Sequence, residues 1–283
     1  MRINLVVNLH RPDAIEAAAK VHRGLESKGV TFGVELDAAS VLSIPPVKPE
    51  DMGDCDLLIS FGGDGTLIRA AHLASGKPTP VLGVYYGRFG FVTQCHPNEI
   101  GAAISSFLDK QAKIEERMMI QSTLLRHRKP IATLHSLNEA VVQRAITTRM
   151  LEFEISVDGQ FLTSYPADGI VVSTPTGSTA YNLSAGGPIV SPQMEAMVLC
   201  AIAPHTLSSR ALVLHPASVI KIKMETRGDA VLSCDGQSRL SMISGDEVEI
   251  TRSDRTIRLV TIDSLDFITK LSDRILWTRG GLD

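Results

Sequence analysis

Apolar positions along this chain change their rhythm partway through. At first, short unbroken apolar runs alternate with stretches in which apolar residues recur every three or four positions, the spacings of buried strands and amphipathic helices. Ile3 to Val7 predicts a strand, and Pro12 with Asp13 opens a helix that puts Ile15, Ala18, Ala19, His22 and Leu25 on one face and ends at Lys28-Gly29. Val30 to Leu36 predicts a second strand, the proline- and acid-rich Ser43 to Met52 a loop, Cys55 to Phe61 a third strand and Pro80 to Val84 a fourth. Strand and helix in turn predict a parallel, doubly wound sheet. After a short helix over Pro97 to Leu108, strand follows strand: Met118 to Arg126, Ile131 to Leu134, Glu139 to Val142, Leu151 to Val157, Gly169 to Ser173, Val219 to Met224, Val231 to Cys234, Glu247 to Ile250 and Thr256 to Val260. Asp158-Gly159, between Val157 and Phe161-Leu162, is a hairpin signal. Helical spacing returns at Phe267, Leu271 and Ile275. The expectation is an α/β domain over residues 1–110, rejoined by a C-terminal helix within 264–283, and a β-rich domain over 111–263.

One apolar run ends in chemistry. Leu57-Leu58-Ile59-Ser60-Phe61 breaks into Gly62-Gly63-Asp64-Gly65, and Thr66 to Ala74 resumes with helical composition. Glycines at a strand-to-helix turn let the backbone approach a ligand, and the free N–H groups of the helix start favour phosphate. Asp64 would sit at the carboxyl edge of the sheet, where open α/β folds bind ligands. The same residues also read as an ordinary Asp-Gly turn. A second glycine cluster, Gly83-Val84-Tyr85-Tyr86-Gly87-Arg88-Phe89-Gly90-Phe91, follows the next strand and is expected on the same edge, either sharing the cleft or closing a tight turn. It is not the GxGxxG dinucleotide fingerprint, and the chain has no GxxxxGK[ST] loop.

A third stretch, Gly169 to Gly187, runs from a strand through Thr174-Pro175-Thr176-Gly177-Ser178-Thr179 into a short helix. Ser178 or Thr179 can cap that helix, and the remaining hydroxyls and amides are available to a ligand. A serine nucleophile is disfavoured, because Ser178 is not in a GxSxG elbow and nothing marks His205 as its base.

Composition narrows the class. At 283 residues with a net charge of -3, the chain gives no electrostatic reason to expect nucleic acid, so an anionic partner needs a local site. Cys55, Cys95, Cys200 and Cys234 are scattered without a CxxC pair, which suggests neither a disulfide framework nor a zinc site and fits a reducing cytoplasm. Neither a signal peptide nor a membrane-spanning run is recognisable.

In order along the chain, these clusters resemble the NAD kinase family, whose members transfer a phosphoryl group to the 2′-hydroxyl of the adenosine ribose of NAD. Gly62-Gly63-Asp64-Gly65-Thr66 is similar to the family's GGDGT signature, Asn138-Glu139 to its Asn-acid pair, and Thr174 to Tyr181 to its TPTGSTAY segment. Pro204-His205-Thr206-Leu207 and Asp235-Gly236-Gln237 also match. GGDGT is shared with lipid kinases; TPTGSTAY followed by Asn182-Leu183-Ser184-Ala185-Gly186-Gly187-Pro188 is far more specific. The resemblance spans nearly the whole chain and implies an α/β first domain, a β-rich second domain, a site between them, and homodimers or homotetramers.

It further implies Asp64 as the catalytic carboxylate, Gly62, Gly63 and Thr66 at phosphate, and Gly65 and Arg69 at the nucleotide, with Phe91 flanking the adenine. Asn138 and Glu139 would hold ribose hydroxyls, and Thr179, Ala180, Tyr181, Asn182, Leu183 and Ser184 would line the rest of the dinucleotide site. Arg149, Asp168 and Gln237 match further contact positions, though on local sequence a surface charge, a turn cap and a solvated loop amide account for them better. Mg2+ is implied to bridge the phosphates of a donor, ATP or polyphosphate, with no dedicated metal ligands named. Two positions depart from the family pattern: Tyr85 replaces the usual Asn, and Pro166 replaces a basic residue two before Asp168. Rival readings are a GGDGT lipid kinase, which needs a membrane-binding feature that the sequence lacks, and a non-catalytic nucleotide sensor.

Overall fold

The structure is a computed structural model and describes residues 1–27, 29–86, 90–92, 95–145, 151–206, 208–225, 229–261 and 267–274. The chain forms two compact units, Met1–Glu116 with Ile257–Asp283, and Arg117–Thr256.

The first unit alternates β1 (Arg2–Val7), α1 (Pro12–Glu26), β2 (Thr31–Glu35), α2 (Leu36–Leu42), β3 (Pro46–Val47), β4 (Leu57–Gly62), α3 (Asp64–Ala74), β5 (Pro80–Tyr85) and α4 (Ile100–Leu108). All these strands pair in parallel in the order β5-β4-β1-β2-β3. The centre of the sheet is buried on both faces. Ile3, Leu5, Leu57, Ile59 and Phe61 have no exposed surface, which is why these strands read as continuous rather than alternating apolar runs. The predicted strand ending at Leu36 stops one residue earlier, because Leu36-Asp37-Ala38-Ala39 begins α2. That helix buries Ala38 and Leu42 and places Asp37 in its first turn, where the helix dipole favours an acid. The predicted loop over Ser43 to Met52 also holds the short β3 and a 3-10 turn at Pro49–Asp51, and the helix predicted from Pro97 starts as a 3-10 turn over Pro97–Glu99.

The second unit is built of strands β6 (Lys113–Arg126), β7 (Lys129–Ser136), β8 (Glu139–Arg144), β9 (Leu151–Val157), β10 (Gln160–Ala167), β11 (Gly169–Ser173), β12 (Met197–Ile202), β13 (Leu212–Leu214), β14 (Ile220–Met224), β15 (Ala230–Cys234), β16 (Ser238–Met242) and β17 (Glu247–Thr261). A 3-10 turn at Thr176–Thr179 and the single-turn α5 (Tyr181–Ser184) interrupt them. Its antiparallel sheet β13-β12-β11-β8-β15-β16 shares one apolar core with the ladder β10-β9-β14-β17, through Val142, Ile170, Val172 and Leu232 on one side and Phe153, Ile155, Ile222 and Ile250 on the other. The Asp158-Gly159 hairpin forms as expected, with both residues at positive φ (52° and 78°).

Two predicted runs fuse here. Glu247–Ile250 and Thr256–Val260 are one continuous strand, because the polar residues between them find partners: Ser253 meets His135 Nδ1 at 2.8 Å and Arg252 pairs with Glu195 at 2.5 Å. The last residues of β17 lie in the first unit, where Arg258 and Leu259 pair in parallel with Pro80 and Val81 of β5. The C-terminal helix, α6 (Phe267–Arg274), also belongs to that unit and buries Leu271, while Ile275 lies outside the described residues.

Candidate functional site

In the first unit, β4 ends at Gly62 and α3 begins at Asp64, with Gly63 in extended conformation between them. Each glycine has its own physical reason. A Cβ at Gly62 would run into the Thr66 side chain, whereas at Gly63 and Gly65 it would meet nothing within 4 Å, so those two leave open space beside the helix start. Asp64 is half-buried, and its Oδ2 accepts a hydrogen bond from the Phe91 N–H at 2.8 Å. The Tyr86 N–H donates to the Gly62 carbonyl at 2.8 Å, so the two glycine clusters do lie along one sheet edge, although residues 87–89 are outside the described residues. Arg69, on the same helix, reaches the carboxyl ends of β1 and β2, donating to Val7 O at 3.0 Å and Glu35 Oε2 at 2.9 Å. Tyr85, one of the two departures from the family pattern, stacks edge-on against His96 with ring centroids 5.4 Å apart.

In the second unit, the Asn138-Glu139 pair stands at the start of β8 and is almost fully buried. Asn138 Oδ1 and Glu139 Oε2 have no hydrogen-bond partner among the described residues. A buried acceptor left in that state costs about 1–3 kcal/mol, which a ligand bringing hydroxyl donors would recover. Burial is the main cause that lifts the Glu139 carboxyl to about 7; the Asp235 charge adds to the rise and a hydrogen bond from the Tyr181 backbone N–H opposes it. Gly177 packs against this pair so closely that a Cβ would collide with the Asn138 carbonyl.

The hydroxyl-rich turn divides its labour differently from the sequence expectation. Ser178 does not cap α5, and neither does Thr179: the N-cap of that helix is Ala180, with no side-chain cap. Ser178 Oγ instead donates toward the Pro175 and Val190 carbonyls (2.7 and 3.1 Å) and accepts from the Val190 N–H at 3.0 Å, a buried cross-link that leaves no nucleophile. Thr174 Oγ1 donates to the Leu137 carbonyl at 2.5 Å and accepts from the Gly177 N–H at 3.1 Å. Asn182 is a buried strut, its Nδ2 donating to Ser178 O and Pro188 O at 3.2 and 3.1 Å. The faces left open belong to Thr179, Ala180 and Leu183, which are half-buried, and to Tyr181 and Ser184, which are exposed.

Further from this turn, Asp168 forms an ion pair with Arg144 at 3.0 Å rather than capping a turn. Gln237 is exposed in the β15–β16 hairpin, Pro166 is exposed on β10, and Arg149 lies outside the described residues. Arg117, buried and donating to Thr176 Oγ1 at 3.5 Å, is a site-adjacent cation that the sequence reading missed. Its only sequence signal is a charge immediately before an apolar run, which ordinarily marks a strand end.

Among the described residues, no group of three or more His, Cys, Asp or Glu side chains is arranged to hold a metal ion. A half-buried carboxylate at a phosphate-type turn suits Mg2+, which usually takes one or two carboxylates and completes its shell with waters and substrate phosphates. Nor, among those residues, is any helix long and apolar enough to cross a membrane.

Profiles of the ATP-NAD kinase N-terminal and C-terminal domains match residues 3–112 and 137–262. An NAD kinase of Moorella thermoacetica is 39% identical over 97% of this chain and 89% of its own, and one of Syntrophotalea carbinolica 35% identical over 98% of both. The crystal structure of yeast NADH kinase complexed with NADH superposes with a TM-score of 0.92 at 27% identity, covering 100% of this chain and 89% of the other. An NAD kinase from Archaeoglobus fulgidus in complex with ATP shares the fold, with a TM-score of 0.75 at 24% identity over 93% of this chain and 94% of the other. With both domain profiles in sequence order and relatives matched from end to end, this chain belongs to the ATP-NAD kinase family.

Proposed function

We infer that this protein is an NAD kinase, and that it moves the terminal phosphoryl group of ATP to the 2′-hydroxyl of the adenosine ribose of NAD. The new bond joins the ribose oxygen to phosphorus, the bond from that phosphorus to the ADP oxygen breaks, and the hydroxyl proton must leave. Asp64 takes that proton. Phosphoryl transfer asks little covalent work of a protein beyond positioning and charge stabilisation, so one base among open glycines suits the task. Gly62, Gly63 and Thr66 border the phosphates at the start of α3, with Gly65 and Arg69 beside the nucleotide and Phe91 against the adenine.

The observation that best supports the reading is the pair of buried acceptors, Asn138 Oδ1 and Glu139 Oε2, that lack partners among the described residues. Two hydroxyls of a ribose supply the missing donors. Thr179 to Ser184 line the dinucleotide, with Tyr181 offering its exposed ring; Asp168, Gln237 and Arg149 are secondary contacts. Asp64 would help to hold Mg2+ arriving with the donor phosphates, and the ion would supply charge neutralisation there. The enzyme works in the cytoplasm as a homodimer or homotetramer.

Purified protein with Mg2+, offered ATP or polyphosphate and NAD or NADH, is expected to form NADP from ATP and NAD. No product with any pair would overturn the assignment, and light scattering that returns the 30.5 kDa of a single chain would overturn the oligomer.

A further inference from the structure

Asp235 opens the Asp-Gly turn between β15 and β16, and both turn residues sit at positive φ, 52° at Asp235 and 67° at Gly236. A β-turn with both central residues at positive φ favours Asp-Gly or Asn-Gly on its own account. The turn does not explain where the carboxylate goes. Oδ2 accepts from the Leu137 N–H at 2.7 Å, and Oδ1 accepts from the N–H groups of Asn138 and Glu139 at 2.8 and 3.0 Å. In return, the Asp235 N–H donates to the Glu139 carbonyl at 3.0 Å. Thr174 holds the other two carbonyls, its N–H donating to Asn138 O at 2.8 Å and its Oγ1 to Leu137 O at 2.5 Å. Every backbone donor and acceptor of Leu137, Asn138 and Glu139 therefore has a partner on Asp235 or Thr174. Only the side chains of Asn138 and Glu139 are left to address a ligand.

We propose that Asp235 is the positioning residue of the NAD site, its carboxylate fixing the Leu137–Glu139 backbone so that Asn138 and Glu139 present their acceptors to the ribose in one pose. The proposal rests on the ribose-binding reading of that pair. Hydrogen bonds to an ionised acceptor are about twice as strong as neutral ones, and three of them on consecutive amides make a stiff mount. A neutral amide in place of the carboxylate keeps one accepting oxygen and turns its NH2 toward amide hydrogens, so at least one of the three bonds is lost.

The same charge also acts on Glu139. The groups facing that carboxyl are Asp235 and the Cys234 thiol from the β15 end and the Tyr181 N–H from α5, while Ser173, its neighbour on β11, and Thr174 carry no charge. The buried cation Arg117 is engaged with Thr176. Loss of the Asp235 charge thus moves the Glu139 titration downward from about 7.

Asp235→Asn is the test, because Asn-Gly suits the same turn. The Kd and KM for NAD are expected to rise about tenfold, the scale of one charge-assisted hydrogen bond, with kcat at saturating NAD within about twofold of the parent. The pH at which NAD affinity is half lost should move down. A variant that melts earlier yet keeps its KM and pH profile would make Asp235 a structural staple only and overturn the proposal. Glu139→Gln serves as the control on the underlying reading: unchanged NAD affinity there sinks the ribose assignment itself, whereas weakened affinity there with a neutral Asp235→Asn sinks only the positioning role. Should Asp235→Asn fail to fold, amide exchange on the unaltered protein decides. The amides of Leu137, Asn138 and Glu139 are expected to exchange as slowly as those of Ala140 to Val142, and exchange about 100-fold faster would overturn the clamp.

Discussion

The turn around Asp64 and the strand start at Asn138-Glu139 are built on opposite principles. Around Asp64 there is room: the carboxylate is half-buried, and a Cβ at Gly63 or Gly65 would meet nothing. Around Asn138 there is none, since a Cβ at Gly177 would strike its carbonyl and every backbone group of residues 137–139 is already bonded. A group that must trade a proton works in space that substrate can fill. A group that must recognise a diol works best when its backbone cannot move, because a mispositioned acceptor forfeits the hydrogen bond for which it was left unpaired.

The largest effect expected from this contrast is Asp64→Asn. Loss of the proposed general base should lower kcat by about 10²–10⁴-fold, with melting temperature and calorimetric NAD affinity little changed, as a spacious turn tolerates Asn. Near-parental turnover would break the assignment.

The same alanine substitution, made in each region, sharpens the comparison. Gly177→Ala should cost about 1–3 kcal/mol of stability through overpacking and weaken NAD binding with it. Gly65→Ala, in the first turn of α3 with open space around it, should leave stability unchanged or raise it by up to about 1 kcal/mol. Equal losses in denaturant melts would mean that the two glycine sites do not differ as described.

Glu139→Gln should trade function for stability. The carboxyl is raised from 4.5 to about 7 in the folded chain, so the folded state keeps a proton that the unfolded chain releases. Stability from this group is therefore fully present below pH 4.5 and lost as pH rises through 7. Gln cannot ionise. The variant should be more stable at pH 8 by about 1–3 kcal/mol, gain little at pH 4, and bind NAD more weakly; thermal melts at the two pH values check the sign.

Tyr181→Ala is expected to have the smallest effect. In its proposed place beside the dinucleotide, this exposed ring would contribute packing worth about 0.5–1.5 kcal/mol, so KM for NAD should rise several-fold with kcat unchanged. A fall in kcat alone would place the ring elsewhere in the cycle.

Much of this was legible in the chain. The strand-glycine-Asp-helix order around Asp64 follows from an unbroken apolar run, because a strand buried on both faces needs one. Local patterning failed where distant partners decide. Ser253 and Arg252 look like a break between strands until His135 and Glu195 engage them, and the fully apolar Met197–Ile202, which forms β12, is a strand signal absent from the expected elements. Hydroxyl counting also misled: Thr174 and Ser178 are spent on backbone carbonyls, which no spacing rule reveals. The clamp on residues 137–139 bridges almost a hundred positions, with the Leu137–Asp235 bond 98 residues apart.

The continuity of β17 sets a timetable for the newborn chain. The first unit is left at Glu116 and regained only at Ile257, so the pairing of Arg258 with Pro80 and of Leu259 with Val81 awaits synthesis of the whole Arg117–Thr256 segment. The Arg258 guanidinium bond to the Pro78 carbonyl spans 180 residues, and closing an unstructured loop of that length costs about 5 kcal/mol in chain entropy. If the intervening Arg117–Thr256 segment has already compacted, most of that cost has been met before β17 arrives. Until then the start of β5 stands without its neighbour, an unpaired strand edge on which aggregation or chaperone capture competes with completion.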